Sequence, residues 1–444
     1  MAINKNRLFK YIVGGFALAC SFIMTAETKA AEVTATPVTP SAIAVEDIVK
    51  NKAEVKALEK IIEDHVIDNS YIRAERDDIN NEEYYKWRED GHLISINIDW
   101  LDIEGSFSFK DFPYLEVIYC RGNDLSNIDI TKNKYLKKLY CKSNNLKTID
   151  TSKNEQLVSL RCAWNKIESL DLKNNKYLST IGAKYNKLKT LDLGNNIYLK
   201  KLYLSSNSMQ EIDVSKNTIL EHITFRYNKV KSVDFSNNKA LKKIDCYNNE
   251  IQKLDFSGNI SIEVIKCNSN KITELNVKGC SKLKEIACEY NKLSELDLSG
   301  VSKLKFLNVY ENNLTSLDVS DCKELRSICC TCNKIKSLDL TKNSKLYKLE
   351  AGNNQLSKII FPKVNKIDSL IIPINNFTGK LDLSGFVRLN YLSCYQNKLD
   401  EIDITGCDKL YYLEDDDEDY EWDDDDEDYD WDDVDCDEGV KIIK

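Results

Sequence analysis

Residues 115–135 read LEVIYCRGNDLSNIDITKNKY, and residues 136–156 read LKKLYCKSNNLKTIDTSKNEQ. Twelve such lines of twenty-one residues align without a gap from Leu115 to Lys366. A line of twenty-two residues and another of twenty-one follow them. A fixed short period is typical of a solenoid, in which each repeat buries its apolar face against its neighbours. The sequence therefore predicts one stacked array of about fourteen repeats.

Each line begins with a short alternation of apolar and polar residues. In residues 136–141, Leu139 and Cys141 alternate with Lys138 and Tyr140, which predicts a strand with one buried face. Asparagine occupies the ninth position of each line, and its amide, with two donors and an acceptor, can bond the backbones of adjacent coils. We therefore predict a structural ladder of Asn123, Asn144, Asn165, Asn186, Asn207, Asn228, Asn249, Asn270, Asn291, Asn312, Asn333, Asn354, Asn375 and Asn397.

The template L-x-x-L-x-[C/L]-x-x-N-x-L resembles the leucine-rich repeat. The second half of each line has its own L-x-x-L-x-x-x-x-N spacing, and this nesting resembles the bacterial IRREKO subclass of that family. Two extended arms in twenty-one residues leave little room for a helix, so we expect a leucine-rich repeat solenoid of mostly parallel β-structure with short or no helices on its back. The resemblance implies an interaction scaffold, with internalin-like exported bacterial proteins as the nearest functional analogy.

The first residues predict export. A basic start, the apolar run YIVGGFALACSFIM and then small residues indicate a signal peptide over residues 1–30, with cleavage near Ala30. An uncleaved anchor helix is the alternative. No other segment is apolar for long enough to cross a bilayer, so we expect a secreted or cell-surface protein without a membrane span after cleavage.

A linker and a cap are predicted between the signal peptide and the repeats. Residues 31–45 are small and contain Thr and Pro, as linkers do. The end of a solenoid exposes an apolar cross-section and must be covered. We assign residues 46–114 to a cap with a helix and an entry strand, and residues 115–413 to the solenoid. The predicted core of the cap is Trp87, Trp100, Phe107, Phe109 and Phe112.

Residues 414–444 are predicted to form a disordered acidic tail. Nineteen of the 25 residues from Glu414 to Glu438 are acidic, and so many like charges do not fold compactly alone. Removing them from the 72 acidic residues leaves 53 against 62 basic ones, so the rest of the chain has a net charge of +9. Carboxylates are ligands of hard cations, and the candidate Ca²⁺ ligands are Asp423, Asp424, Asp425 and Asp426. Alternatively, the tail binds a basic partner or folds back on the body.

The sequence gives no sign of catalysis. Eight of the fifteen cysteines occupy the sixth position of a repeat, which predicts free, buried thiols that act as small core hydrophobes. Cys329 and Cys332 have C-x-x-C spacing but no second pair for zinc. The chain has three histidines and no motif for a nucleophile, a zinc protease or a phosphate loop. We expect neither an enzyme nor a cofactor, and no nucleic-acid partner, because export removes that target.

The outer face of the first-arm strands is the candidate binding site. Its third, fifth, seventh and eighth positions carry cations and twelve aromatic residues, the kind of surface that supplies contact area and polar tips for recognition. These aromatics are Tyr119, Tyr140, Trp164, Tyr185, Tyr203, Tyr227, Tyr247, Tyr290, Phe306, Tyr310, Tyr391 and Tyr395. We predict a monomer that binds a protein there. The alternatives are a glycan, or an envelope spacer whose tail is the active part.

Overall fold

A computed structural model describes residues 48–65, 76–364, 366–410, 434–437 and 439–444. The predicted signal peptide, the linker and the four candidate Ca²⁺ ligands lie outside these residues. Helix α1 spans Lys52–His65. The strands are β1 (Tyr85–Trp87), β2 (Leu93–Asn97), β3 (Glu104–Ser108), β4 (Val117–Tyr119), β5 (Asp124–Asp129), β6 (Lys138–Tyr140), β7 (Ser159–Arg161), β8 (Thr180–Gly182), β9 (Lys201–Tyr203), β10 (His222–Thr224), β11 (Lys243–Asp245), β12 (Lys253–Asp255), β13 (Val264–Lys266), β14 (Glu274–Asn276), β15 (Glu285–Ala287), β16 (Phe306–Asn308), β17 (Ser327–Cys329), β18 (Ser337–Asp339), β19 (Lys348–Glu350), β20 (Lys358–Ile360), β21 (Ser369–Ile371), β22 (Thr378–Asp382), β23 (Tyr391–Ser393), β24 (Lys398–Asp403), β25 (Val434–Asp435) and β26 (Lys441–Ile443).

The first arms of the repeats form one sheet of seventeen strands. It follows chain order through β1, β2, β4, β6, β7, β8, β9, β10, β11, β13, β15, β16, β17, β19, β21, β23 and β25. β1 pairs with β2 antiparallel, and each later strand pairs in parallel with the equivalent strand of the next coil. Ile223, for example, lies opposite Leu202 on one side and Ile244 on the other. The predicted leucine-rich repeat solenoid is confirmed.

The second arms are extended but form regular strands only in places. β3 pairs with β5, β12 with β14, β18 with β20, and β24 with both β22 and β26. Within the described residues, α1 is the α-helix, and it lies ahead of the repeats. The prediction of short or no helices behind the sheet is therefore confirmed, because a twenty-one-residue coil with two extended arms has no length left for one.

The ninth-position asparagines connect adjacent coils. Asn144 Nδ2 donates to the Cys120 carbonyl of the preceding coil at 2.8 Å and to its own Cys141 carbonyl at 3.2 Å. Its Oδ1 accepts from the Leu125 backbone amide at 3.1 Å. The same pattern recurs through the array, for example at Asn228. Each side chain thus satisfies backbone groups that the turn would otherwise leave unpaired in the interior.

A second column of asparagines, at the nineteenth position, is satisfied on one side only. Asn238 Nδ2 donates to the carbonyls of Val214 and Asn217 at 3.0 and 2.9 Å. The buried Oδ1 atom has no partner at Asn133, Asn154, Asn196, Asn217, Asn238, Asn259 and Asn343. Asn175 differs, because the Thr151 hydroxyl donates to its Oδ1 at 2.7 Å.

The cap contains a first coil that the sequence analysis did not recognise. Ser95 of β2 lies opposite Val117 of β4, so Trp100 is equivalent to Gly122, the eighth residue of the first repeat. Phe109 and Phe112 are buried, and Trp87 and Phe107 are partly buried against the core. Trp100, however, is 70% exposed, so its assignment to the core of the cap is wrong. It occupies an outward-facing turn position, where the side chain cannot reach the interior.

Helix α1 closes this end through its first turn. Asn51 caps the helix, with its Oδ1 accepting from the Ala53 and Glu54 amides at 3.0 and 3.2 Å. Glu54 is buried and accepts instead from His92 Nδ1 at 2.7 Å and the Leu93 amide at 2.6 Å. The Glu54 carboxylate therefore joins the helix to β2.

The end of the chain returns to the solenoid. β25 adds to β23, and β26 pairs with β24 at the register Ile402 to Ile442. Residues 434–437 and 439–444 therefore form part of a last coil, although the sequence analysis placed them in the tail. The apolar residues of KIIK complete the second arm, a short pattern that is hard to recognise beside so many acids. Residues 411–433 lie outside the described residues.

Candidate functional site

The turn after each first-arm strand has a fixed backbone conformation. The eighth residue of every repeat from Gly122 to Gln396 has a positive φ, as does the equivalent Trp100 at 59°. Glycine enters this left-handed region freely, whereas an L-residue pays about 1–2 kcal/mol there. Trp164, Tyr185, Tyr227 and Tyr290 nevertheless occupy it, at φ values of 52–57°. The residues with the lowest conformational cost in this turn are therefore absent from these four repeats.

The twelve predicted aromatics divide between strand and turn. Tyr119, Tyr140, Tyr203, Phe306 and Tyr391 lie in first-arm strands. The other seven follow the strands, so their placement on the strands themselves is wrong, because each first-arm strand of the repeats ends at the fifth position. The two groups remain adjacent. We use "strand face" below for positions three, five, seven and eight of the repeats.

Neighbouring rings on the strand face contact one another. Trp164 stacks on Tyr185 with centroids 3.9 Å apart and an angle of 17°, and Tyr119 stacks on Tyr140 at 4.9 Å. Tyr290 meets Tyr310 edge to face at 5.1 Å. Trp164, Tyr185, Tyr227 and Tyr290 remain 42–50% exposed. The rings thus form small ordered clusters that remain nearly half exposed.

Cations lie among these rings. The Arg161 guanidinium is 5.6 Å from the Tyr140 centroid, and Lys184 Nζ is 5.1 Å from that of Tyr203. Arg226 pairs with the buried carboxylate of Asp245, which holds the pKa of Arg226 above its usual value. Burial, together with the Arg226 charge, lowers the pKa of Lys184. Both shifts reflect a crowded, partly desolvated positive cluster.

Two sets of exposed side chains were missed by the sequence analysis. Trp100 extends the eighth-position column, and its ring lies so close to Gly122 that a Cβ there would be 2.0 Å from Trp100 Cε3. The spacing Ile96, Ile98, Trp100 repeats that of Ile118, Cys120, Gly122 and could have revealed it. A second row lies at the opposite edge of the strands, at the twenty-first position. This "edge row" consists of Tyr114, Tyr135, Tyr177, Tyr198 and Ile219.

The edge row borders an open groove beside repeats 2–5. Val158, Tyr177, Tyr198 and Ile219 line it together with Lys137, Lys176 and Lys200. Tyr177 stacks on Tyr198 at 5.9 Å, and both are nearly half exposed, at 45% and 49%. The repeated tyrosine that ends lines such as KNKY and GNNIY was the available signal. Aromatics therefore flank the basic strands on both sides in these repeats.

The strand face changes character toward its other end. Glu289, at the seventh position of repeat 9, accepts from Asn308 Nδ2 at 2.6 Å through Oε1, while its Oε2 is buried without a partner. Burial raises the pKa of this carboxyl to about 7. Nearby, Tyr310 lies close to Glu311 and Cys332, and its pKa is raised above the ordinary value mainly by burial.

The cysteines lie where a core residue is expected. The fourteen described ones are free, and the eight at the sixth position are buried. Burial raises the pKa of Cys162 to about 12, so these thiols remain protonated and act as apolar groups. Cys329 and Cys332 are partly exposed, and Cys332 Sγ accepts from Asn353 Nδ2 at 3.3 Å.

Two further searches cover the described part of the chain. No group of three or more His, Cys, Asp or Glu side chains there could hold a metal ion. No helix in that part is long and apolar enough to span a membrane.

Comparisons with known proteins agree with this architecture. No family model and no curated protein matches the sequence. Among solved structures, the functional domain of InlJ from Listeria monocytogenes, described as including a cysteine ladder, is 28% identical with a TM-score of 0.55. The match covers 62% of this chain and 70% of InlJ. YopM, a leucine-rich effector protein from Yersinia pestis, is 22% identical with a TM-score of 0.61, and the match covers 79% and 96% of the two chains.

A third neighbour is the ectodomain of a plant membrane receptor kinase from Arabidopsis thaliana. It is 17% identical with a TM-score of 0.59, and the match covers 79% of this chain and 52% of that one. The twenty-one-residue period, the asparagine ladder and these neighbours lead to one conclusion. The chain has the leucine-rich repeat fold, and its solenoid is similar to those of the bacterial proteins InlJ and YopM.

Proposed function

We propose that this chain is an exported bacterial protein that binds a protein partner through its strand face and has no catalytic role. The observation that carries the proposal is the choice of residue at the eighth position. Ser143, Ser206 and Asn248 show that small polar residues suit the turn. The aromatic rings placed there remain 42–50% exposed, so burial offsets the backbone cost only in part, which favours a role in recognition.

The fold neighbours support this direction. The plant receptor ectodomain was solved in complex with CASPARIAN STRIP INTEGRITY FACTOR 2, and YopM is described as an effector. Leucine-rich arrays of these kinds act as protein-interaction modules, which supports a binding role for the present array. The partly exposed rings that lie among cations such as Arg161 and Lys184 suit contacts with the polar rim and apolar centre of a protein interface.

The test replaces three strand-face residues by the residues found at the equivalent positions of other repeats. Tyr185→Ser and Tyr227→Ser copy Ser143 and Ser206, and Tyr203→Thr copies Thr224. Because all three sites are at the surface, thermal unfolding should change little. Immobilised wild-type protein should capture a partner from surface proteins of its natural environment, and the triple variant should lose it.

A control variant, Ile260→Ser with Val387→Ser, removes exposed apolar side chains outside the strand face, where they are 62% and 61% exposed. It should retain the partner. Equal capture by the triple variant and the wild type, measured by quantitative mass spectrometry, would contradict the proposal. Export is tested separately, because the mature protein should begin near Ala31.

Two other functions remain distinguishable by experiment. A glycan would bind the same aromatics, but stacking on sugars requires free ring faces. Tyr119 with Tyr140, and Trp164 with Tyr185, already stack in pairs, which covers one face of each ring. A glycan array with the triple variant as control separates that function. In the spacer function, the acidic segment would bind Ca²⁺ or a basic partner, which calorimetry of the full chain with Ca²⁺ detects.

A further inference from the structure

The strand face is divided by charge along the array. In repeats 1–8 it carries nine cations, and its one carboxylate, Asp245, is paired with Arg226. The cations are Arg121, Lys138, Lys142, Arg161, Lys184, Lys201, Arg226, Lys243 and Lys266. We call this part the basic zone. Lysine is in general excess in the repeats, but that excess does not explain why the cations are concentrated on one face.

The sign changes between repeats 8 and 9. In repeats 9–12 the same positions carry Glu285, Glu289, Glu311 and Glu350, against the single cation Lys348, which pairs with Glu350 at 2.9 Å. Because burial raises the pKa of Glu289 to about 7, this carboxyl contributes only part of a negative charge at neutral pH. We call this part the acidic zone. Lys266 and Glu285 form an ion pair of 2.8 Å across the boundary. A partner that lies along the strand face therefore meets two opposite potentials within a few coils.

Most cations of the basic zone are available to a partner. Arg121 pairs with Asp99 at 2.6 Å, and Arg226 and Lys266 are paired as described. Within the described part of the chain, the other six form no ion pair. Lys184 is also partly desolvated, and a carboxylate beside it would offset that cost.

The aromatic rings narrow the chemistry of the ligand. Bases of single-stranded nucleic acids bind by stacking on free ring faces. Here Tyr119 and Tyr140 stack on each other, Arg161 covers Tyr140, and Lys184 covers Tyr203. Arg121 also lies 5.4 Å from the Tyr119 centroid, so faces of these three rings are already occupied. Such a surface matches the carboxylates and mixed side chains of a protein segment better than it matches bases.

We propose that the basic zone binds an acidic segment of a partner protein, and that the acidic zone fixes its position by repelling carboxylates beyond repeat 8. The proposal deepens the proposed function, since it rests on the strand face being the site of binding. The edge row and its groove in repeats 2–5 add apolar contact alongside the same strands. Aromatic side chains within the acidic segment would use them.

The chain's own acidic segment is poorly placed to occupy the whole basic zone. It leaves after Leu410 and returns at Val434, beyond the acidic zone. A loop of twenty-three residues that goes out and back extends at most about 40 Å. Repeats 1–5 lie nine or more coils away, about 43 Å at 4.8 Å per coil. The full-length chain is therefore a suitable protein for the test.

The probe is a synthetic peptide, EDDDEDYEWDDDDEDYDWDD, which copies residues 414–433 and combines carboxylates with aromatics. Its binding to the full chain is measured by fluorescence anisotropy. The zone variant is Lys138→Gln, Arg161→Gln and Lys201→Gln. Removing three exposed charges should weaken binding about tenfold. It should also flatten the dependence of binding on salt.

The matched control is Lys147→Gln, Lys189→Gln and Lys231→Gln. These lysines occupy the twelfth position on the second arm and are exposed, so the net charge changes equally. Affinity should stay within about twofold, because a screened charge on another face contributes little. Equal losses in both variants would overturn the proposal, since they would show attraction to net charge alone.

Two further experiments test the position of the site and the class of ligand. Glu285→Gln with Glu350→Gln should strengthen peptide binding, because it removes two carboxylates from the acidic zone and frees Lys266 and Lys348 from their ion pairs. Unchanged or weaker binding would contradict the role given to the acidic zone. Tighter binding of a twenty-residue oligo-dT than of the peptide would overturn the choice of a protein segment. Loss of peptide binding together with retained partner capture would refute this inference and leave the proposed function intact.

Discussion

Replacing Val214 by Thr should satisfy a buried oxygen that now has no partner. Thr151, at the sixteenth position of its repeat, donates to Asn175 Oδ1 in the next coil at 2.7 Å. Val214 stands in the same relation to Asn238, whose Oδ1 is buried and unpaired. The two asparagines make equivalent Nδ2 bonds, so the geometry around them is matched. Threonine is also nearly isosteric with valine.

The expected magnitude follows from two opposing terms. Burying a hydroxyl without a partner costs about 1–3 kcal/mol in proteins. A hydrogen bond to an otherwise orphaned oxygen recovers a similar amount, about 1–3 kcal/mol. Val214→Thr should therefore be neutral or slightly stabilising. Val277→Thr is the control, because Val277 is equally buried at the sixteenth position but faces Val301 rather than asparagine.

The assay is urea unfolding of both variants with the wild type, followed by circular dichroism. Val277→Thr should lose about 1–3 kcal/mol of unfolding free energy, whereas Val214→Thr should not. The reverse change, Thr151→Val, should destabilise by about 1–3 kcal/mol, since it orphans Asn175 Oδ1. Equal losses for the two valine variants would refute the reasoning, because they would show that the Asn238 oxygen is already satisfied.

Three other changes have defined outcomes. Asn228→Ala should lower the free energy of unfolding by about 3 kcal/mol or more, measured in urea, because two carbonyls and the Met209 amide lose their partner. Ile374→Gly should raise the melting temperature by relieving a branched residue at φ 55°, a gain of about 1 kcal/mol, whereas Ile374→Ala should not. The folded-state pKa of Glu289 is raised from 4.5 to about 7, so the folded chain keeps a proton that the unfolded chain loses, and stability should fall as pH rises through that window. Glu289→Gln should remove this part of the fall, and an unchanged pH profile of unfolding would contradict the assignment.

Much of the fold could be read from the sequence because the period is strict. Asn144 or Asn228 recurs at one position of each line, and a buried amide at a fixed spacing has few uses other than joining coils. The alternation of Leu139 and Cys141 with polar residues showed which face of each strand is buried. The register then follows, since each residue must lie opposite its equivalent one repeat away.

The remaining features of the fold and the site could not be predicted from a single repeat. The strand ends at the fifth position, so Tyr185 and Tyr227 lie in the turn, a difference that alternation cannot reveal. Trp100 was assigned to the core because large aromatics usually are buried, yet its equivalence to Gly122 puts it outside. The division of charge along the strand face appears only when one position is followed through all repeats.

Because β25 and β26 follow the acidic run, that run is an insertion bracketed by ordered structure rather than a removable extension. A stop codon within 411–433 would remove the coil formed by β25 and β26 and leave the strand edges at Leu392 and Ile402 unpaired. A deletion variant should therefore replace residues 411–433 by a short glycine–serine linker between Leu410 and Val434. A fragment that ends before Val434 lacks this coil and should aggregate, whereas the loss of an unpaired extension would not cause aggregation.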